Sequence, residues 1–284
     1  MPLRCKATAR KEETIDLAKI ECILCCPDCR AHLLQQKDSW LCRKCGTQYA
    51  MIDGIPHFVQ VAAPSSRTHN EAWLNRLKNR LRTHPWLYEF LTVVCSPAMP
   101  TGKNSKALLN RMQPDAVILN LGSGTKRISS SIVNVDLFPF AGVDVVADVT
   151  RLPFKDNSID GIISEAALEH VRHCCAAFDE MRRVLKEGGY LYLVVPFIVG
   201  YHPSPNDYRR WTVPGIMEDL PGFRVIESRI RGGPTSALLW IFQEWLAMAL
   251  SFNIAPLYVV IWIGLMALTF PIKLLDLLLS RYSM

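Results

Sequence analysis

A chain of 284 residues, half of them hydrophobic, is excluded from the class of peptides too small or too polar to build a core of their own. It has room for one full α/β domain with smaller appendages, and its net charge of +6 is modest, so the placing of the cations decides what they mean. Met1-Pro2-Leu3-Arg4-Cys5-Lys6 lacks the apolar run of a secretory signal, and four of the ten cysteines fall in a metal-ligand spacing, which argues for a reducing compartment.

Residues 1–62 form the first expected unit. Cys26-Pro27-Asp28-Cys29 is followed, after twelve residues, by Cys42-Arg43-Lys44-Cys45-Gly46. Each C-x2-C places two thiolates on a tight knuckle, and two knuckles close a tetrahedral S4 site suited to Zn(2+). Four thiolates leave no open position, so this zinc is structural, and a module with so little apolar sequence needs it to fold. Cys22 and Cys25 offer a competing register; Pro27 and Gly46 fit the knuckle turns of the one chosen here. The segment from Ile23-Leu24-Cys25-Cys26 through Tyr49-Ala50-Met51-Ile52-Asp53-Gly54-Ile55-Pro56 resembles the small zinc-binding family that includes the activator subunit of tRNA and protein methyltransferases. The resemblance implies a module that faces a protein partner or a neighbouring domain, not a catalyst.

Residues 63–114 read as a helical connector. Trp73, Leu74, Leu77 and Leu81 recur at helical spacing, with Arg76, Lys78, Arg80 and Arg82 between them. Such a helix either lies on an anionic membrane or turns a solvated basic face outward from a linker; the linker is slightly favoured.

Residues 115–232 carry the α/β pattern. Val117-Ile118-Leu119-Asn120-Leu121-Gly122-Ser123-Gly124 is a buried strand feeding a glycine turn. Ile132-Val133-Asn134-Val135-Asp136, Val143 to Asp148, and Ser158 to Glu165 are further apolar runs that each end in a carboxylate. Strands that finish in Gly, Asp or Glu describe a Rossmann-like, mostly parallel sheet, whose ligands sit outside the carboxyl ends. Phe178 to Leu185 is apolar at helical spacing, Lys186-Glu187-Gly188-Gly189 caps that helix, and Tyr190 to Pro196 is the next strand.

The order of these motifs, with Leu152-Pro153-Phe154, Leu168-Glu169-His170-Val171 and Arg183-Val184-Leu185-Lys186-Glu187-Gly188-Gly189, resembles the type-11 group of class I S-adenosylmethionine-dependent methyltransferases over residues 117–198. The resemblance implies that Gly122 and Gly124 let backbone approach the methionine half of S-adenosyl-L-methionine. It gives Asp136 the ribose hydroxyls and Asp148 the adenine amino group, and puts Glu165 near the sulfonium. A cation with a ribose diol suits strand-end carboxylates, and the absence of G-x4-G-K-[ST] argues against a nucleotide triphosphatase. Two departures stand out. Asn120 occupies a position usually acidic, which reassigns one contact to the methionine amine or a water. The interval from Gly124 to Ile132 is too short for the usual first crossover helix, which tells against a dinucleotide fold.

Candidate catalytic bases are His170, His202 and Asp207, with Glu169 weaker. His202-Pro203-x-Pro205-x-Asp207-Tyr208-Arg209-Arg210-Trp211-Thr212 resembles a segment found at the same place in some type-11 members. It reads equally well as a substrate loop or as a lid closed by packing and pairing. Methylation of an exocyclic base amine is not indicated, since no [ND]-P-P-[YFW] follows the fourth strand.

Residues 236–284 differ in kind. Ala237 to Leu250 is apolar around Gln243-Glu244, and Ile254 to Ile272 is an uncharged run long enough to span a bilayer. With Arg229 and Arg231 before it and Lys273 and Arg281 after it, the tail reads as a helical hairpin turning near Asn253–Pro256, both ends on the cytoplasmic side. The sequence thus points to a membrane-associated methyltransferase, its partners the membrane lipid and a saccharide, lipid-linked or other small acceptor, methylated at oxygen. An RNA enzyme is the competing reading, weakened by the lack of a basic face beyond residues 76–82. A non-catalytic scaffold is the third.

Overall fold

A computed structural model describes residues 18–59, 101, 105–202 and 206–279. The basic helix expected between Glu71 and Arg82, together with Pro203, Pro205 and Arg281, lies outside them. The chain forms two compact units, one of residues 1–61 with 105–195, the other of residues 62–104 with 196–284.

In the first unit a short helix α1 (Ala18–Glu21) precedes four short strands, β1 (Leu33–Gln35), β2 (Ser39–Cys42), β3 (Gln48–Ile52) and β4 (Ile55–His57). After α2 (Lys106–Leu109) come β5 (Ile118–Leu121), β6 (Val133–Asp136), β7 (Val145–Val146), β8 (Ile159–Glu165), α3 (Cys174–Val184) and β9 (Leu185–Val194). All nine strands join one sheet, in the order β1-β2-β3-β4-β7-β6-β5-β8-β9. The first three pairings are antiparallel and the rest parallel, so the N-terminal hairpins extend a Rossmann-like half rather than standing apart from it. The seam is His57 beside Val146, where Phe58 N–H donates to Val146 O at 2.8 Å.

β5, β6 and β7 are buried on both faces, as their unbroken apolar runs predict. Beneath β5, Leu108 of α2 packs with Ile118, Ile132 and Ile163. On α3, Ala177, Phe178, Met181 and Val184 form the buried stripe. Between β5 and β6 lie only turns, in keeping with the short crossover. One boundary differs from expectation. The glycine pair does not cap α3 ahead of a strand starting at Tyr190. β9 begins at Leu185 opposite Ile159, bulges around Gly188 (φ +76°) and rejoins β8 with Tyr190 opposite Gly161. The helix therefore ends one residue earlier, at Val184, and the left-handed glycine serves the bulge.

The second unit holds α4 (Val213–Asp219), α5 (Pro234–Ser251), α6 (Ala255–Lys273) and α7 (Asp276–Leu279). Left-handed Phe252 and Asn253 turn the chain between α5 and α6, which form the expected hairpin. Its burial is inverted. Gln243, Ser251, Thr269 and Lys273 are buried, while Leu238, Ile241, Trp245, Met248, Val260 and Leu268 face outward. Gln243 Nε2 donates to Thr269 Oγ1 at 2.6 Å between the helices, and Asp276 accepts the N–H groups of Thr235 and Ser236 at 2.8 Å, capping α5.

Candidate functional site

The order β7-β6-β5-β8-β9 places a topological switch point between β5 and β8, where the chain leaves the sheet in opposite directions. Gly122 and Gly124, at the carboxyl end of β5, both take left-handed φ, +68° and +55°. A Cβ at Gly122 would stand 2.3 Å from the Cβ of Ala167, in the turn after β8, so the two strand ends approach as closely as bare backbone allows.

Asp136 ends β6 and is buried. Gly124 N–H donates to its Oδ2 at 2.8 Å and Phe138 N–H to its Oδ1 at 3.0 Å. The carboxylate plane is thereby fixed, and each oxygen keeps a lone pair for a further donor. Asp148 follows β7; its Oδ1 accepts from both the N–H and the hydroxyl of Thr150, at 2.8 and 2.7 Å, so its Oδ2 is outside that turn. Asn120 is buried within β5, and its amide donates to Asn134 Oδ1 at 3.0 Å. Asn134 in turn donates to Gly142 O and, through its backbone, to Asp144, which Arg127 pairs at 2.7 Å. A carboxylate at position 120 could not donate to Asn134, so the departure at this position belongs to a network of side-chain amides beneath the turn.

Two features of the site carried no sequence signal. Lys126, an exposed side chain just past the glycine turn, pairs with Glu165 at 2.7 Å. Ser164 is buried at the end of β8, and among the described residues its hydroxyl has no hydrogen-bond partner. Neither residue lies in a spacing pattern that would have marked it.

The base candidates fall in different units. In the first, His170 is mostly buried, its Nε2 4.0 Å from Glu169 Oε1 in the turn after β8. In the second, His202 and Asp207 come together: His202 N–H donates to Asp207 Oδ2 at 3.0 Å, and the ring Nδ1 lies 3.4 Å from the same oxygen and 2.9 Å from Gly200 O. The Asp207 side chain is covered and gripped by both terminal nitrogens of Arg210. The Arg210 guanidinium, joined by the His202 N–H, holds its carboxyl well below the usual carboxylate range despite burial.

The cysteine cluster is a third locus. The ligand atoms of Cys26, Cys29, Cys42 and Cys45 all lie within 4.8 Å of one another. Cys26 and Cys45 sulfurs are 3.6 Å apart, those of Cys29 and Cys42 3.4 Å. Hydrogen bonds from Thr47 bring the Cys45 thiol down to about 6. Cys25 is not among these four: its backbone N–H donates to Pro153 O at 3.0 Å, fixing it against the sheet.

Residues 101–193 match the family model described as a methyltransferase domain. The ubiquinone/menaquinone biosynthesis C-methyltransferase of Cupriavidus necator is 31% identical over 106 residues, which is 35% of this chain and 43% of that one. Among solved structures, an S-adenosylmethionine-dependent methyltransferase from Mesorhizobium loti is similar at 20% identity, covering 49% of this chain and 89% of its own, with a TM-score of 0.35. A Haloferax volcanii complex of the Trm112 methyltransferase activator is similar at 19% identity, covering 55% of this chain and 76% of its own, with a TM-score of 0.34. The chain spans about half the length of the curated relatives it matches, from 43% to 57% of the first three. By the family match, residues 101–193 are a domain of the methyltransferase family.

Proposed function

We propose that the chain is an S-adenosylmethionine-dependent methyltransferase, seated at a membrane by its C-terminal hairpin with the α/β domain on the cytoplasmic side. Its acceptor on this reading is a hydroxyl of a saccharide, lipid-linked or other small molecule. The observation that carries the reading is Asp136 at the carboxyl end of β6, next to the glycine turn of β5. Its plane is set by two backbone N–H groups, one of them from the left-handed Gly124, so two oxygens stand ready for a ribose diol. Asp148 Oδ2 would hold the adenine amino group, and the bare backbone at Gly122 and Gly124 would pass the methionine half. Glu165, balanced by Lys126, would lie on the sulfonium side.

When bound, S-adenosylmethionine supplies an electrophilic methyl group open to in-line displacement. The protein's part is then chiefly to hold the acceptor in line and keep water out. An acceptor hydroxyl also needs somewhere for its proton to go. Of the three candidate bases His202 fits best, an imidazole whose ring Nδ1 is placed 2.9 Å from Gly200 O. Asp207, ionised and engaged by Arg210, orients the His202 backbone instead of taking a proton.

The cysteine cluster fits zinc. With Zn–S bonds of about 2.3 Å a tetrahedron has edges of about 3.8 Å, close to the two sulfur separations. This metal is structural, and the partner it prepares the module for is the chain's own sheet, since β4 already pairs with β7. Membrane seating is supported by α6, 19 apolar residues that are mostly uncovered, and by the outward-facing apolar side chains of the hairpin.

The test is isothermal calorimetry with S-adenosylmethionine on the full chain and on Asp136→Ala. The wild type is expected to bind, and the variant to bind at least ~10-fold more weakly, the loss of a charge-assisted hydrogen-bond acceptor. No heat from the wild type ends the reading. A chain cut before Ser236 that still floats with vesicles would refute the hairpin as anchor.

A further inference from the structure

Two strand ends carry opposite charges at the switch point of the first unit. Lys126 stands just past the glycine turn that follows β5. Glu165 is the last residue of β8, the strand that pairs with β5 through Asn120 beside Ile163. Lys126 Nζ donates to Glu165 Oε2 at 2.7 Å, which ties the two strand ends together. The lysine side chain is 64% exposed and the glutamate 18%, so the anion is fixed in the turn while the cation stands in solvent. An ion pair of that kind contributes little to folding, and its long cationic arm can swing to another anion at small cost.

The methionine half of S-adenosylmethionine brings an ammonium and a carboxylate, and β5 itself answers neither. Asn120 is neutral and buried, and its amide donates to Asn134 Oδ1 at 3.0 Å. Gly122 and Gly124 have no side chain, and the Gly124 N–H is committed to Asp136. Arg127, next to Lys126, is held by Asp144 at 2.7 Å and by Gly142 O at 2.8 Å. Lys126 and Glu165 thus supply one charge of each sign where the two strands end. A zwitterion satisfies both by exchange: its carboxylate replaces Glu165 at the lysine, and its ammonium replaces Lys126 at the glutamate. Each new contact is a charge-assisted hydrogen bond, so one such bond is given up and two are formed.

We propose that Lys126 and Glu165 are the binding pair for the zwitterionic end of the cofactor, bonded to each other until it arrives, Lys126 then taking the carboxylate and Glu165 the ammonium. The assignment rests on the S-adenosylmethionine reading. It adds Lys126 to the site and accounts for the neutral Asn120, because the acid that meets the amine stands at the end of β8 instead of within β5.

The experiment is isothermal calorimetry on the full chain in neutral detergent micelles with four ligands. These are S-adenosylmethionine, its decarboxylated form, S-adenosylhomocysteine, which keeps the zwitterion without the sulfonium, and methylthioadenosine, which lacks all three charges. Lys126→Ala is expected to weaken S-adenosylmethionine and S-adenosylhomocysteine ~10- to 100-fold, the range for a lost charge-assisted hydrogen bond. It should leave the decarboxylated compound and methylthioadenosine within ~2-fold, and Lys126→Arg should recover part of the loss. Glu165→Gln, which keeps the shape, is expected to weaken the three amine-bearing ligands ~10-fold or more and to spare methylthioadenosine. An unchanged Lys126→Ala, or one that weakens the decarboxylated compound equally, overturns the carboxylate assignment. A Glu165→Gln that spares S-adenosylhomocysteine overturns the ammonium assignment in favour of the sulfonium. A wild type that binds none of the four sinks the S-adenosylmethionine reading itself, whereas one that binds all four regardless of their charges keeps that reading and refutes the binding pair.

Discussion

The N-terminal seam and the C-terminal hairpin differ in where they turn their large apolar side chains. Where the cysteine module meets the sheet, polar groups are joined across the contact and apolar ones lie sealed beneath. Arg30 forks onto Glu180 at 2.8 and 2.9 Å, and Glu180 also receives Arg183 and the Leu152 N–H. Lys155 N–H donates to Ile23 O and Cys25 N–H to Pro153 O, while Leu24, Leu152 and Phe154 are wholly covered. In the hairpin polar side chains are again paired inside, beside Leu239, Trp240, Ala247 and Met266, but most of the large apolar ones face out. The first pattern is what water demands of a contact between two folded surfaces. The second is the pattern a hydrocarbon layer would accept, in keeping with the proposed membrane seating. Hydrophobicity alone does not separate the two regions; the direction in which it points does.

The sharpest way to break the seam is at Glu180, whose carboxylate is covered and holds two guanidiniums. Glu180→Ala leaves Arg30 without its anion, Arg183 with only the exposed Asp156, and Leu152 N–H without its acceptor. The expected cost is about 3–5 kcal/mol, read as a lower denaturation midpoint of the first unit. The loss should reach the Asp148 turn, because residues 152–155 are the strip that the module and α3 hold between them. Acid should do the same more gradually. Burial would raise the Glu180 carboxyl, but the hydrogen bonds from Arg183 and Arg30 outweigh it and set it below the ordinary 4.5. A carboxyl depressed on folding gives its stabilisation in full above the unfolded value and loses it as pH falls through the folded one. The seam should therefore hold at neutral pH and weaken only below about pH 4.5, a loss that Glu180→Gln should flatten. A midpoint in Glu180→Ala equal to the wild type would show that the seam is held by its apolar layer alone.

In the hairpin the corresponding polar anchor is Asp276, wholly buried and bonded to Thr235 N, Ser236 N and Ser236 Oγ. Asp276→Ala should cost about 1–3 kcal/mol, the penalty of an uncapped helix start and a buried hydroxyl left unpaired. Hydrogen exchange in detergent would register it as faster exchange at Thr235 and Ser236 than in the turns around Leu250. Fraying spread evenly along α5 would mean that the helix is held by its surroundings and not by its cap. Because Gly233 lets Asp276 in, with a Cβ there falling 2.1 Å from the Asp276 Cγ, Gly233→Ala should mimic the loss.

Much of this was legible in the sequence, and what was not has a physical reason. The strand ends, the knuckle spacing and the apolar hairpin are short-range patterns, set by residues within a turn or a strand of each other. The joining of β4 to β7 is a pairing between distant segments, and neither strand is long enough to announce its neighbour. Glu180 reads as one acid on a helix, and only the approach of Arg30 from 150 positions away makes it a hub. Asn120 looked like a defect of its motif. Its donor to Asn134 could not have been foreseen, because it depends on the register of two parallel strands. For the same reason Asp207, chosen as a base from its company in a loop, proves to be held by Arg210 three residues on, a pairing that spacing allows but does not require.

The smallest expected effect lies back at the seam, in Arg151 and Asp28. They too form an ion pair between the module and the sheet, at 3.3 Å, but their side chains are 60% and 42% exposed. Two mobile, solvated charges gain little from each other, and salt screens what they gain, so Arg151→Ala should shift stability by no more than about 0–1 kcal/mol. The Arg30–Glu180 pair crosses the same seam, yet the two should differ several-fold. If burial is what separates them, Arg151→Ala should vanish into the noise in 0.5 M salt while Glu180→Ala keeps most of its cost. Equal losses at both sites, or a Glu180 effect that salt abolishes, would mean that the seam is held by long-range charge, and the contrast with the hairpin would have to be drawn from sign instead of burial.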